Sequence, residues 1–313
     1  MVLREKFDYG LVKLAIACGT TFIDGKRVED IKILNDQAKV YLNDGTNIES
    51  QVVIGADGIW SNIAKKTGLR QNFKKFGMCI FQEYPIKSEV LDKCIGEKRS
   101  CHVHLGVKGI IGYGWVFPKR NHINIGICEL KTKINRSGCK TNLKEIYKNY
   151  FDLLKKNNII PKDLKIGRLR GGALPLSPLK KTYADRVILC GDAAGFINPV
   201  SGEGIYYAMS SGKIAADVIG DALEFGKTDE GFLSQYQRIW KSDFGKDIKL
   251  FSISTKQKLK VNEKFLKIVK NDQKFADLLV GILYGSYSVN KIKWRLISRF
   301  LYAYLKDLFI NSE

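Results

Sequence analysis

Asp192 sits in Gly191-Asp192-Ala193-Ala194-Gly195, directly after the apolar run Val187-Ile188-Leu189-Cys190. Further on, Asn198-Pro199-Val200-Ser201-Gly202-Glu203-Gly204 makes a Gly/Pro turn, and from Ile205 the pattern becomes helical. The spacing predicts one small-residue stripe through Ile205, Ala208, Met209, Gly212, Ala215, Ala216, Ile219, Ala222 and Leu223. A strand, a small-residue turn and a helix start without side-chain bulk form a place for a phosphate or an anionic ring. The first N–H groups of the helix lack intrahelical partners, and the dipole is positive there. The same pattern also serves as a plain packing turn. A second set is Tyr113, Trp115 and Phe117, whose alternation puts them on one sheet face. Such a row walls a long apolar slot or fills an ordinary core. His102 and His104 alternate in the same way, but no other ligand set lies near them, so no metal site is expected.

The elements that must position these residues follow from pattern. A helix opens at Arg4, with Leu11, Leu14, Ala15 and Cys18 as its expected buried stripe and Gly19 as its stop. Thr20 to Ile23, Val28 to Leu34 and Ala38 to Leu42 read as strands, and Asn43-Asp44-Gly45 as a hairpin turn. Residues 51–58 read as a buried strand ending in a Gly-flanked Asp57, followed by a short helix from Ser61 to Thr67. From Phe73 to about Arg170 the texture alternates, as in a half-buried antiparallel sheet, with one helix at about Leu143 to Leu154. From Asp229 on the chain is mainly helical; its last helix is expected to bury Ile297, Phe300, Leu301, Tyr304, Leu305, Leu308 and Phe309 as one stripe. Four segments result: residues 1–72, 73–170, 171–225 and 226–313.

The chain has 313 residues and a formal net charge of +20. That balance predicts an acidic partner, but no nucleic-acid-binding pattern accompanies the spread lysines. Seven cysteines stand singly at 18, 79, 94, 101, 128, 139 and 190, which favours reduced thiols over a zinc site or a disulfide framework. There is no run of 18 apolar residues and no apolar core of signal-peptide length behind Met1. Residues 246–313 carry 14 Lys and Arg against 6 Asp and Glu, and the last helix reads either as packed on its own domain or as lying on anionic lipid.

Four motifs point to one family. Gly191-Asp192-Ala193-Ala194 with Pro199, Gly202 and Gly204 resembles the second flavin fingerprint of FAD-dependent hydroxylase-like proteins. Arg4-x-x-Phe7-Asp8-x-x-Leu11 resembles their arginine helix, and Gly55-Ala56-Asp57-Gly58-x-x-Ser61 their G-A-D-G-x-x-S strand end. Tyr113-Gly114-Trp115-Val116-Phe117-Pro118 is similar to the Y-x-W-x-F-P signature of the geranylgeranyl reductase family, although Ile110 stands where that signature often has Pro. The resemblance spans about residues 1–225. It implies an α/β fold: an FAD-binding Rossmann-like domain, an inserted antiparallel-sheet substrate domain and a C-terminal helical region. The chain starts at the arginine helix without a G-x-G-x-x-G unit, so the resemblance implies a member whose N-terminal βαβ is missing and whose hold on the ADP half of FAD is weak.

The same resemblance assigns Arg4, Asp192, Gly204 and Ile205 to FAD, puts the backbone of Val28 at the adenine, and makes Tyr113, Trp115 and Phe117 the wall for a prenyl chain. No residue is singled out as proton donor. The expected activity is FAD-dependent saturation of C=C bonds in geranylgeranyl lipids. An acidic ferredoxin-like protein or NAD(P)H would supply electrons. The rivals are an FAD monooxygenase or halogenase and a non-catalytic prenyl-lipid-binding remnant. The location implied is cytoplasmic, with peripheral contact at the membrane as an extension of it.

Overall fold

The computed structural model describes residues 1–70, 76–131, 142–250, 263–283 and 286–310. The chain divides into two compact units, residues 1–26 with 74–174, and residues 27–73 with 175–313.

The second unit holds two small sheets. Strands β1 (Val28–Ile33), β2 (Ala38–Leu42) and β3 (Asn47–Ser50) form an antiparallel meander. Its tight turn is set by Gly45 at φ 85° and by Asp44, whose carboxylate accepts from Thr46 N–H at 3.1 Å. Strand β4 (Val53–Gly55) pairs in parallel with β11 (Val187–Leu189), in register from Val53↔Val187 to Gly55↔Leu189, and β10 (Tyr183–Ala184) borders β11 on its other edge. After β4, Ser61 Oγ accepts from Ala64 N–H at 2.9 Å and Asp57 Oδ2 from Asn62 N–H at 2.7 Å. Both therefore cap helix α2 (Asn62–Lys66), a physical reason for the Asp and Ser of that motif. Helices α6 (Ile205–Glu224) and α7 (Glu230–Trp240) share a core with β11 in which Val187, Ile188, Leu189, Phe196, Tyr236 and Trp240 are buried. The chain ends in helices α8 (Glu263–Asn271), α9 (Gln273–Leu283) and α10 (Val289–Ile310), packed around Ile268, Phe275 and Ala303.

The first unit contains helix α1 (Arg4–Ala17) and a five-stranded sheet in the order β6-β7-β8-β5-β9: β6 is His102–Leu105, β7 Gly112–Pro118, β8 His122–Lys131, β5 Phe76–Pro85 and β9 Arg170–Pro175. The long β5–β8 ladder runs antiparallel from Phe76↔Lys131 to Pro85↔His122. Helix α3 (Ser88–Ile95) follows β5, and helix α4 (Leu143–Lys156) covers one sheet face with Tyr147, Tyr150, Phe151 and Leu154. Alternation places Val116, Ile123, Ile125 and Ile127 under it, while Cys79, Trp115 and Cys128 cluster separately with Tyr113 and Phe117.

Several expectations need correction. Thr20–Ile23 forms no strand. Leu11, Leu14, Ala15 and Cys18 are exposed, and no residue of α1 is buried. The strand read at residues 51–58 shrinks to three residues, with Ile54 46% exposed. Helix α3 escapes the pattern reading because its eight residues bury only Leu91. Helix α6 buries Tyr207, Ser211, Ile214, Ala215, Val218 and Ala222, and leaves Ala208, Met209, Ala216 and Leu223 exposed. Small and apolar residues occupy two faces of α6, so the expected stripe holds at Ala215 and Ala222 and in part at Ile219, and fails at Ala208, Met209, Ala216 and Leu223. The expected stripe of α10 likewise splits: Phe300 and Tyr304 pack inward, and Ile297, Leu301 and Leu305 face out. Leu308 and Phe309 lie outside the residues whose side chains are described.

Two glycines give opposite expectations. A Cβ on Gly114 would lie 2.7 Å from Tyr150 Cζ, so Gly114→Ala should lower the denaturant midpoint, at a cost of about 1–3 kcal/mol. A Cβ on Gly220 meets nothing within 4 Å inside α6, so Gly220→Ala should stabilise by about 0.5–1 kcal/mol.

His104 Nδ1 lies 2.7 Å from Tyr150 Oη, and burial together with nearby His102 holds its pKa below the ordinary 6.5. The folded protein therefore takes that proton less readily than the unfolded chain does. The stability His104 contributes is complete above pH 6.5 and drains as pH falls through the depressed value. Denaturant midpoints should drop on acidification below pH 6.5, and His104→Gln should flatten that slope.

Candidate functional site

In the second unit, β11 delivers the chain into Cys190 and then the one-turn helix α5 (Gly191–Ala194). Gly191 takes φ 54°, and Gly195 takes φ 83° with Ser177 and Pro178 packed against it, so both turn positions require glycine. Gly191 N–H donates to Ser211 Oγ on α6 at 3.1 Å, and Ser211 donates in turn to Ala208 O at 3.0 Å. From α7, Tyr236 donates to Leu189 O at 2.7 Å and Trp240 Nε1 to Thr182 Oγ1 at 3.0 Å. Burial pushes the Cys190 thiol up to about 11, so it stays neutral at physiological pH.

The loop between α5 and α6 is held from within. Buried Asn198 accepts at Oδ1 from Val200 N–H and Ser201 N–H, at 3.0 and 3.2 Å. Its own N–H donates to Glu203 O at 2.8 Å. Gly202 adopts φ 74°. At the start of α6, Glu203 Oε1 accepts from Tyr206 N–H at 2.9 Å, a carboxylate at the positive end of the helix. Gly204 leaves that start bare: a Cβ there would lie 3.4 Å from Asp192 Oδ1. Asp192, Gly204 and Ile205 are thus brought together, with Asp192 partly exposed beside a helix N-terminus. This cradle suits a group that offers hydroxyls to a carboxylate and negative charge to a helix start.

Val28 opens β1 in the same unit, and its carbonyl accepts from Asn62 Nδ2 at 2.8 Å. Arg4 belongs to the first unit; its guanidinium grips Asp8 through Nε and Nη2, at 2.9 and 2.8 Å, on the exposed face of α1.

The aromatic row, also in the first unit, is ordered. Trp115 stacks on Phe117 at 6.0 Å between centroids and lies 5.8 Å from Tyr113. Its indole covers Gly126, where any side chain would overlap the ring. Trp115 Nε1 donates to Asn124 Oδ1 at 2.6 Å, Asn124 Nδ2 donates to Glu83 Oε2 at 2.9 Å, and Lys119 Nζ pairs with the same oxygen at 2.7 Å. Burial raises the Tyr113 phenol well above its ordinary range, keeping it a neutral donor. The row is an apolar wall with one side anchored by a charged relay.

Sequence reasoning missed Ser211, Glu203 and the Asn124–Glu83–Lys119 relay. Gly126 within an alternating strand was the available signal for a close approach there. The two histidines stack at 6.0 Å, and His104 is engaged with Tyr150.

A mixed α/β architecture with this strand–turn–helix cradle is that of an FAD-binding protein, and a family model described as an FAD binding domain matches residues 3–270. A digeranylgeranylglycerophospholipid reductase of Methanococcus aeolicus is 31% identical over 98% of this chain and 75% of its own length. One from Methanocaldococcus jannaschii is 34% identical over 64% of this chain, which spans 49% of that relative. Among solved structures, a geranylgeranyl bacteriochlorophyll reductase-like protein of Thermoplasma acidophilum superposes with a TM-score of 0.71 at 19% identity, covering 93% of this chain and 74% of the other. A flavin-dependent halogenase shares the fold at a TM-score of 0.58 and 20% identity, over 77% of this chain and 44% of its own. The chain belongs to the digeranylgeranylglycerophospholipid reductase family of FAD-dependent oxidoreductases.

Ser211 gives the test of the cradle's rigidity. Ser211→Ala removes the acceptor for a buried Gly191 N–H, and a buried donor left unpaired costs about 1–3 kcal/mol. Thermal unfolding should shift down accordingly. An unchanged midpoint would mean that Ser211 does not hold the turn.

Proposed function

We propose that this chain saturates C=C bonds of geranylgeranyl chains carried on a glycerophospholipid. The observation that carries the reading is the ordered row Tyr113–Trp115–Phe117 in a member of this family. A prenyl chain offers only apolar surface and needs a long apolar wall. FAD, when bound and reduced, supplies the hydride, and the protein supplies orientation and exclusion of water.

On this reading Asp192 accepts hydrogen bonds from the ribityl hydroxyls. The bare helix start at Gly204 and Ile205 faces the pyrimidine edge of the ring, where its positive end favours developing negative charge. Arg4 contacts the cofactor with Asp8 orienting it, and the backbone of Val28 lies at the adenine. The +20 charge supports an acidic electron donor of the ferredoxin class, or anionic NAD(P)H, and contact with anionic lipid at a membrane surface.

The test uses the protein with FAD supplied, reduced chemically without oxygen and mixed with digeranylgeranylglycerophospholipid. Mass spectrometry should show two added hydrogens per saturated bond. Asp192→Ala should lower bound flavin per protein. Trp115→Phe keeps an aromatic ring but loses the Asn124 bond, and should cut turnover roughly tenfold, about 1.4 kcal/mol, with flavin content unchanged. Oxygen-dependent NAD(P)H consumption without saturated lipid would instead mark a monooxygenase, and bound lipid without flavin a carrier.

A further inference from the structure

Helix α10 has two apolar faces. The inner one, with Leu296, Phe300, Ala303 and Tyr304, packs on Ile268 and Phe275. The outer one consists of Trp294, Ile297, Leu301 and Leu305, spaced three and four residues apart so that they line one side of the helix. All four are exposed, Trp294 by 73% and the others by about half. Single apolar residues on a surface are ordinary, but four in one stripe mark an interaction face.

Basic groups border this stripe. Between α9 and α10 lies a cleft of about 340 Å³, lined by Lys274, Leu278, Arg295, Ser298, Arg299 and Tyr302. Arg299 is committed to Asp272, at 2.8 and 2.6 Å, and lies 4.5 Å from the Tyr302 ring centroid. Burial disfavours the Asp272 carboxylate. Hydrogen bonds from Arg299 and from Phe275 N–H outweigh that and hold its pKa below the ordinary range, so the pair is a fixed part of the cleft floor. Lys274 and Arg295 make no ion pair among the described residues and are exposed. Beside the stripe, Lys293 Nζ sits 5.6 Å from the Trp294 ring centroid.

A helix face that sets Trp, Ile and Leu beside Lys and Arg matches one environment, the boundary between anionic headgroups and acyl chains. An acidic nucleic acid or peptide would satisfy the cations and leave the stripe in water. A second copy of a +20 chain would set cation against cation. We propose that α10 docks on an anionic bilayer surface, with its outer stripe at the acyl boundary and Lys274 and Arg295 holding a lipid phosphate in the cleft. This deepens the membrane contact proposed above, but its test uses neither flavin nor turnover, so its failure is distinct from failure of the reductase reading.

The experiment is flotation of the full chain with vesicles of phosphatidylcholine, with or without phosphatidylglycerol. Binding should be at least tenfold tighter to the anionic vesicles and should weaken as salt rises. Both Lys274→Glu with Arg295→Glu and Leu301→Ser with Leu305→Ser should reduce binding to anionic vesicles tenfold or more. All four residues are exposed, so thermal midpoints of the variants should match the parent, which separates lost docking from lost folding. Equal binding to both vesicle types, or variants that float like the parent, would overturn the proposal. So would a lipid-free dimer that Leu301→Ser dissociates.

Discussion

The hydrogen bond from Gly191 N–H to Ser211 Oγ is the constraint on which the candidate cofactor cradle depends. It joins the turn that leaves β11 to the middle of α6, so the turn and the helix start move as one body. The joint is tight because Gly191 has no side chain: a Cβ there would come 3.2 Å from that of Ala208. Below it, Tyr236 and Trp240 fasten the end of β11 and Thr182, just ahead of β10, to α7. Phe196 completes the support, with its ring 4.7 Å from Trp240 and 5.2 Å from Phe244. A buried, hydrogen-bonded frame of this kind gives the cradle dipoles that do not reorient.

The first unit sets aromatic rings close against both faces of its sheet, with Trp115 buried and Tyr113 and Phe117 partly buried. Two glycines in adjacent strands do this on opposite faces. Gly114 receives the Tyr150 ring from α4, and Gly126 receives the indole of Trp115. The helix-covered face becomes a conventional core. On the opposite face the rings lie close against the backbone as a row. The relay through Asn124, Glu83 and Lys119 fixes the indole edge, since a buried N–H selects the ring orientation that pairs it.

Much of this is legible in the sequence. The hairpin at Asn43-Asp44-Gly45, the strand at Val187, the α6 start at Ile205 and the shared face of Tyr113, Trp115 and Phe117 follow from local turn chemistry and two-residue periodicity. What failed were judgements of which face is buried. In α6 and α10 apolar residues occupy two faces, and only tertiary partners decide which turns inward. In α1, Leu11 and Leu14 form a convincing stripe and are nonetheless exposed. The glycines under the rings were hidden for a related reason: Gly126 matters through a ring eleven residues earlier in sequence, on a neighbouring strand.

The parallel pairing of β4 with β11 has a consequence for how the chain is made. Residues 74–174, which with residues 1–26 form the first compact unit, lie between the two strands in sequence. At roughly 5–20 residues per second of synthesis, β4 emerges on the order of ten seconds before its partner exists. During that interval its backbone edge is unsatisfied, while the intervening sheet can complete its own ladder from β5 to β8. Newborn chains therefore pass through a state in which the β1–β3 meander and the β5–β8 ladder have their partners while β4 still waits for β11.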